Sequence, residues 1–121
     1  MKFPAQLLEH REIETALDAL AESVASGAIH MDAFRRARQL CIRHYAREEA
    51  FLARLAARDA ALAAKLRGQH DEALELAAAF EEAESAGQSR DVLYLVRRFL
   101  AIVRHNIIEE ERDVFPFAGD A

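Results

Sequence analysis

FRRARQLCIRHYAREEAFLARL, residues 34–55, is the stretch on which the fold turns. Phe34, Ala37, Leu40, Cys41, Phe51, Leu52 and Leu55 recur at spacings of three and four. At about 100° per residue they form one stripe of a helix, with none of the alternation by two that a strand needs. His44 lies in the middle of that stripe, and Glu48 follows one turn later, about 40° away. A buried ionised carboxylate is costly unless it is paired or bound to metal. Glu48 therefore wastes a core position unless something compensates it.

The same period runs outward in both directions. Only four Gly and two Pro interrupt 121 residues, and strong helix formers dominate. Pro4 fits a first helical turn, and Ser26-Gly27 makes a stop. A second helix is expected from Met31-Asp32 to Arg58-Asp59, although no Gly or Pro marks its end. A third is expected over Ala60 to Ser85, stopped by Ala86-Gly87. Ser89 is the expected cap of a fourth, which continues to Phe115-Pro116. Each helix would be roughly 33–42 Å long. Similar lengths and short connections predict an all-α fold, an antiparallel up-down-up-down four-helix bundle forming one domain over residues 1–121.

Each of these helices carries a histidine: His10, His44, His70 and His105. Phe3, Leu7, Ile13, Leu17 and Val24 lie on the face of His10. Leu66, Leu74 and Ala77 flank His70. On helix 4, Val92, Leu95, Val96, Phe99, Ile102 and Val103 make the stripe, with His105 at its edge and Glu110 nearer its centre. Glu109 is about 40° from His105, and Glu110 about 140°. A pair five residues apart can still face one site if it straddles the inward direction, and a local π-bulge would help. Glu110 is favoured, with Glu109 also open. Four inward imidazoles with two carboxylates are a metal-binding constellation.

The composition excludes other classes. With 16 basic and 21 acidic residues the net charge is −5, without the basic footprint of a nucleic-acid binder. Arg35, Arg36, Arg38 and Arg43 spread around their helix as a solvated face. No run is long and apolar enough for a membrane span. Cys41, the one cysteine, and a start without an apolar leader suggest a reducing, cytoplasmic setting. Cys41 reads as a small buried hydrophobe. His30 reads as a surface or capping residue that becomes a ligand only if its connection folds inward. Tyr45 and Tyr94 are candidate hydrogen-bond donors around the site. The sequence has no His-Glu-x-x-His, Glu-x-x-His, Cys-x-x-Cys or phosphate-binding glycine loop.

Four segments together resemble the hemerythrin-like (HHE cation-binding) domain family. They are Leu-Leu-Glu-His-Arg-Glu-Ile-Glu (7–14), His-Tyr-Ala-Arg-Glu-Glu (44–49), Gly-Gln-His-Asp-Glu-Ala (68–73) and His-Asn-Ile-Ile-Glu-Glu-Glu-Arg-Asp-Val-Phe-Pro (105–116). The resemblance covers essentially the whole chain. It implies a four-helix bundle holding two non-haem iron ions bridged by carboxylates, with zinc or manganese as substitutes. The implied metal ligands are His10, His44, Glu48, His70, His105 and either Glu109 or Glu110. A His-x-x-x-Glu reading selects Glu109, whereas counting back from Phe-Pro selects Glu110. Leu74 stands where true hemerythrins carry a further helix-3 histidine. One metal would then have fewer protein ligands, which favours sensing or small-molecule reaction over reversible oxygen carriage.

Function is accordingly expected to be metal binding that binds, senses or detoxifies oxygen, peroxide or nitric oxide. The partner is then a small diatomic or peroxide ligand rather than nucleic acid or membrane, and a homodimer is compatible with the chain. One alternative is an enzyme using the same site, in peroxidase-like or iron-delivery chemistry. Another is a metal-free interaction bundle, whose stability a chelator would leave unchanged.

Overall fold

The computed structural model describes residues 4–118, and every described element is helical. Four long helices form the bundle: α1 (Pro4–Ala25), α2 (Met31–Arg58), α3 (Ala60–Ser85) and α4 (Ser89–Glu109). A π-helical segment, Glu110–Val114, and a short α5, Phe115–Ala118, extend α4.

The connections are short because their residues stop and start helices locally. Gly27 and Gly87 adopt positive φ angles of 90° and 74°. In each case the next amide reaches back five residues, Ala28 to Ser23 at 3.2 Å and Gln88 to Ala83 at 2.9 Å. This satisfies carbonyls that the helix end leaves free. Asp59 ends α2 and caps α3, its carboxylate accepting from the Leu62 amide at 3.0 Å. That cap explains a break without Gly or Pro. Two expectations shift slightly. The cap position of α4 falls on Gln88, with Ser89 as the first helical residue, and Gln88 makes no side-chain capping bond. His30 holds the cap position of α2 and is exposed, away from the bundle interior.

Three layers fill the interior. The larger apolar cluster includes Ile13, Leu17, Leu20, Phe34, Leu40, Phe80, Val96, Phe99 and Ile107. A smaller one gathers Phe51, Leu52, Leu55, Ala63, Leu66, Val114 and Phe115. Between them, on α1, α2, α3 and at the start of the π segment, lie the buried polar residues His10, His44, Glu48, His70 and Glu110. Chain α1 passes from Leu7 beside the small cluster through His10 to Ile13 in the large one. The order reverses on α2, reverses again on α3, and reverses once more through α4 and its π extension. This alternation agrees with the up-down reading. The polar layer is thus sealed by hydrocarbon on both sides. Among the described residues, no helix is long and apolar enough to cross a membrane.

Candidate metal centre

Inward register on α1, α2 and α3, with the π segment that follows α4, delivers five side chains to one point. His10 and His44 bring their Nε2 atoms to 3.0 Å of each other. Glu110 Oε1 lies 3.1 Å from His10 Nε2, and its Oε2 lies 3.0 Å from His70 Nε2. Glu48 Oε1 sits 3.1 Å from His44 Nε2 and 3.4 Å from His70 Nε2. Ligand atoms of His10, His44, Glu48 and Glu110 all fall within 4.8 Å of one another.

The proton inventory of this layer is short of positive charge. A carboxylate only accepts, so a ring nitrogen facing one carries the proton. His10 Nδ1 donates to Glu111 Oε2 at 2.7 Å, and His44 Nδ1 donates to Glu9 Oε1 at 2.7 Å. Both Nε2 atoms then face each other and the Glu110 and Glu48 carboxylates, so protons are held between them when no metal is bound. Two lone pairs at that separation repel unless a cation lies between them, either a proton or a metal ion. Burial opposes the charged form of His44, but Glu110, Glu48 and Glu9 outweigh it and push its pKa up to about 10. Burial also acts against Glu110, yet its contacts with His10, His44 and His70 hold it well below the usual carboxylate range. Glu48 goes the other way, raised chiefly by burial. Neither of its oxygens accepts a hydrogen bond among the described residues. A buried carboxylate without a donor costs stability. Three imidazoles and two carboxylates converging on one buried point fit a metal ion, which would displace the protons they share.

The remaining sequence candidates lie elsewhere. His105 is 57% exposed, and its Nε2 lies 3.6 Å from Glu109 Oε1. Glu109 is covered from solvent but belongs to a separate cluster, with Lys65 Nζ at 2.9 Å. Gln69 Nε2 also donates to it, at 3.3 Å, and Asn106 donates to Gln69 at 2.8 Å. Burial opposes ionisation of Glu109, but Lys65 and Gln69 lower its pKa overall. The reason for the split is helical phase. Residues 105–109 stay regular α-helix, so His105 remains about 140° from Glu110. The π-turn suggested by the five-residue spacing is present, but it begins at Glu110. It therefore widens the helix beyond His105 and leaves that ring outside. Leu74 packs against the large apolar cluster, as its stripe position requires.

Several neighbours escape a reading of faces alone. Glu9 and Glu111 are each adjacent in sequence to a cluster residue yet serve a histidine on another helix. Their presence beside His10 and Glu110 was a visible signal, but their cross-helix pairing was not. Arg47 Nε lies 2.6 Å from Glu9 Oε2, and an Arg11 guanidinium nitrogen lies 3.6 Å from Glu111 Oε2. Tyr45 is buried and stacks on His70 with ring centroids 3.9 Å apart and planes 10° from parallel. Phe115 stacks on His10 at 5.6 Å. Tyr94 is exposed and takes no part. Cys41 is buried, and that burial pushes its thiol up to about 12 despite the neighbouring Tyr45 hydroxyl, which suits an inert core position.

The fold and its sealed histidine–carboxylate layer define a class, the all-helical bundle with an internal metal-binding constellation. Within that class, the family model of the hemerythrin HHE cation-binding domain matches residues 4–118, and the chain belongs to that family. No curated protein and no solved structure matches the chain. Family and cluster together make metal binding the property of this site.

Proposed function

We propose that this chain holds two non-haem iron ions and binds, senses or detoxifies oxygen, peroxide or nitric oxide with them. The observation that carries the reading is the pair of facing Nε2 atoms 3.0 Å apart, closed in by two buried carboxylates. His10 and His44 would hold one ion and His70 the other, with Glu48 and Glu110 bridging. Support for two positions comes from Glu110, whose two oxygens face different histidines, His10 and His70. Support for a small ligand comes from the thin donor set around His70, since Leu74 is apolar and His105 faces outward.

Iron, when bound, supplies redox chemistry toward such small ligands, which imidazole and carboxylate donors sustain. The protein's own contribution is position and dryness. Glu9 and Glu111 orient two imidazoles, Tyr45 stacks on the third, and the apolar layers exclude water from between them. A single buried thiol supports a cytoplasmic setting.

The test is the optical spectrum of protein produced with added iron, recorded with and without oxygen, peroxide or nitric oxide. A carboxylate-bridged iron pair absorbs in the near ultraviolet and visible, and the bands are expected to respond to at least one ligand. A silent spectrum that none of the three changes would contradict the proposal. Catalytic turnover of peroxide would assign the same site to an enzyme rather than a sensor.

A further inference from the structure

The two halves of the polar layer are supported differently. His10 and His44 each have the outer ring nitrogen held by a carboxylate, through Glu111 and Glu9 at 2.7 Å. Those bonds fix both rings with Nε2 aimed inward, where an ion would displace the proton held there. His70 differs behind its ring. Its Nε2 faces the Glu110 carboxylate at 3.0 Å and so carries the proton. Its Nδ1 is buried with no hydrogen-bond partner among the described residues.

Binding an ion through His70 Nε2 moves that proton to Nδ1, where no acceptor waits. Charge adds to the difference. The His10–His44 position is served by four carboxylates, two inside the layer and two behind the rings. The His70 position is served by the inner two alone. Partners behind a ligating histidine fix its tautomer and strengthen it as a donor, with effects of roughly 10–100-fold on metal affinity.

We infer that the two metal positions are unequal, and that Glu9 and Glu111 are the positioning residues that make them so. The His10–His44 position fills first and holds its ion. The His70 position fills second and exchanges it. The inference rests on the function proposed above, and it says which half of the site can gain and lose an ion in use.

Two measurements test it. In the first, the protein is titrated with iron(II) without oxygen, in competition with a chromophoric chelator. Two steps separated by roughly tenfold or more are expected. Glu9→Gln and Glu111→Gln should each weaken the tight step by roughly 10–100-fold and leave the weak step within about threefold. His70→Ala should remove the weak step alone. Two equal steps, or equal weakening of both by Glu9→Gln, would overturn the inference and leave the proposed function standing. The second measurement needs no metal. In protein carrying nitrogen-15 histidine, hydrogen-bonded Nδ1–H cross-peaks are expected for His10 and His44 and not for His70. Glu9→Ala should erase that of His44 alone, and Glu111→Ala that of His10 alone. Persistence of both peaks in these variants would overturn the role given to the carboxylates. A protein that keeps both peaks yet takes up no iron would overturn the proposed function and this inference together.

Discussion

Two layers of this bundle are buried to the same degree and could hardly differ more. In the large apolar cluster, Phe34 packs against Phe80 and Phe99 with ring centroids 4.3 and 5.6 Å apart, all three fully buried. That layer is complete as it stands, since hydrocarbon needs only contact. In the polar layer, His10, His44, Glu48 and Glu110 are equally buried, but their nitrogen and oxygen atoms crowd onto one another. That layer is complete only with a cation. One layer makes the fold, and the other uses the fold to confine a charge deficit.

The first way to break this separation is to hollow out the apolar layer. Phe80→Ala should cost about 3–5 kcal/mol in denaturant unfolding, equally with and without bound iron. A loss confined to the iron-loaded protein would show that the layers are not independent.

Acidity separates them next. His44 stands at about 10 instead of its ordinary 6.5 when no metal is bound. A raised folded pKa contributes stability that is fully present below about 6.5 and is lost as pH rises through about 10. Glu110, held low, contributes stability above its ordinary 4.5 that is lost as pH falls through its lower folded value. The metal-free protein should therefore be most stable in mild acid. Iron competes with the His44 proton, so its affinity should rise roughly tenfold per pH unit through neutrality, with proton release on binding. Calorimetry in buffers of different ionisation enthalpy measures that proton. Affinity that is flat with pH would contradict the proton placed on His44 in the metal-free protein.

A smaller effect is expected at Glu48. Glu48→Gln should change the stability of the metal-free protein by less than about 1 kcal/mol, since it removes a costly buried carboxylate but also one of the groups that hold the His44 proton. The same change should lower iron uptake. A metal-free variant destabilised beyond that would mean that Glu48 is well paired without an ion. The smallest effect is expected at His105, whose exposed ring lies outside the layer. His105→Ala should change stability by less than about 0.5 kcal/mol and leave iron content unchanged. A loss of iron there would bring His105 back among the ligands.

Much of this arrangement was legible in the sequence, and the reasons can be named. Gly27 and Gly87 mark two helix ends because the positive φ they adopt is one that few other residues tolerate. Asp59 marks the third break through a cap, a weaker sign without a glycine behind it. His10, His44, Glu48 and His70 could be placed inward because each lies within a regular apolar stripe. Helix 4 resisted for a physical reason. On its last turns three glutamates follow one another, and an ideal helix cannot say where a π-turn begins. With the widening at Glu110, that residue faces the layer, Glu109 faces Lys65, and Glu111 reaches His10. Counting one histidine per helix put His105 in the site, whereas its phase keeps it out. The pairs Glu9–His44 and Glu111–His10 join residues 35 and 101 positions apart, beyond anything periodicity reports.

The central claim is that the polar layer is a cation site completed by side chains from the first three long helices and the π extension of the fourth. It is tested most directly by counting metal in the purified wild-type protein and in Glu110→Ala after growth with iron. Two iron ions per chain in the wild type, and loss of both in the variant, are the predicted result. A wild-type protein without metal, or a Glu110→Ala variant that keeps the full amount, would contradict it.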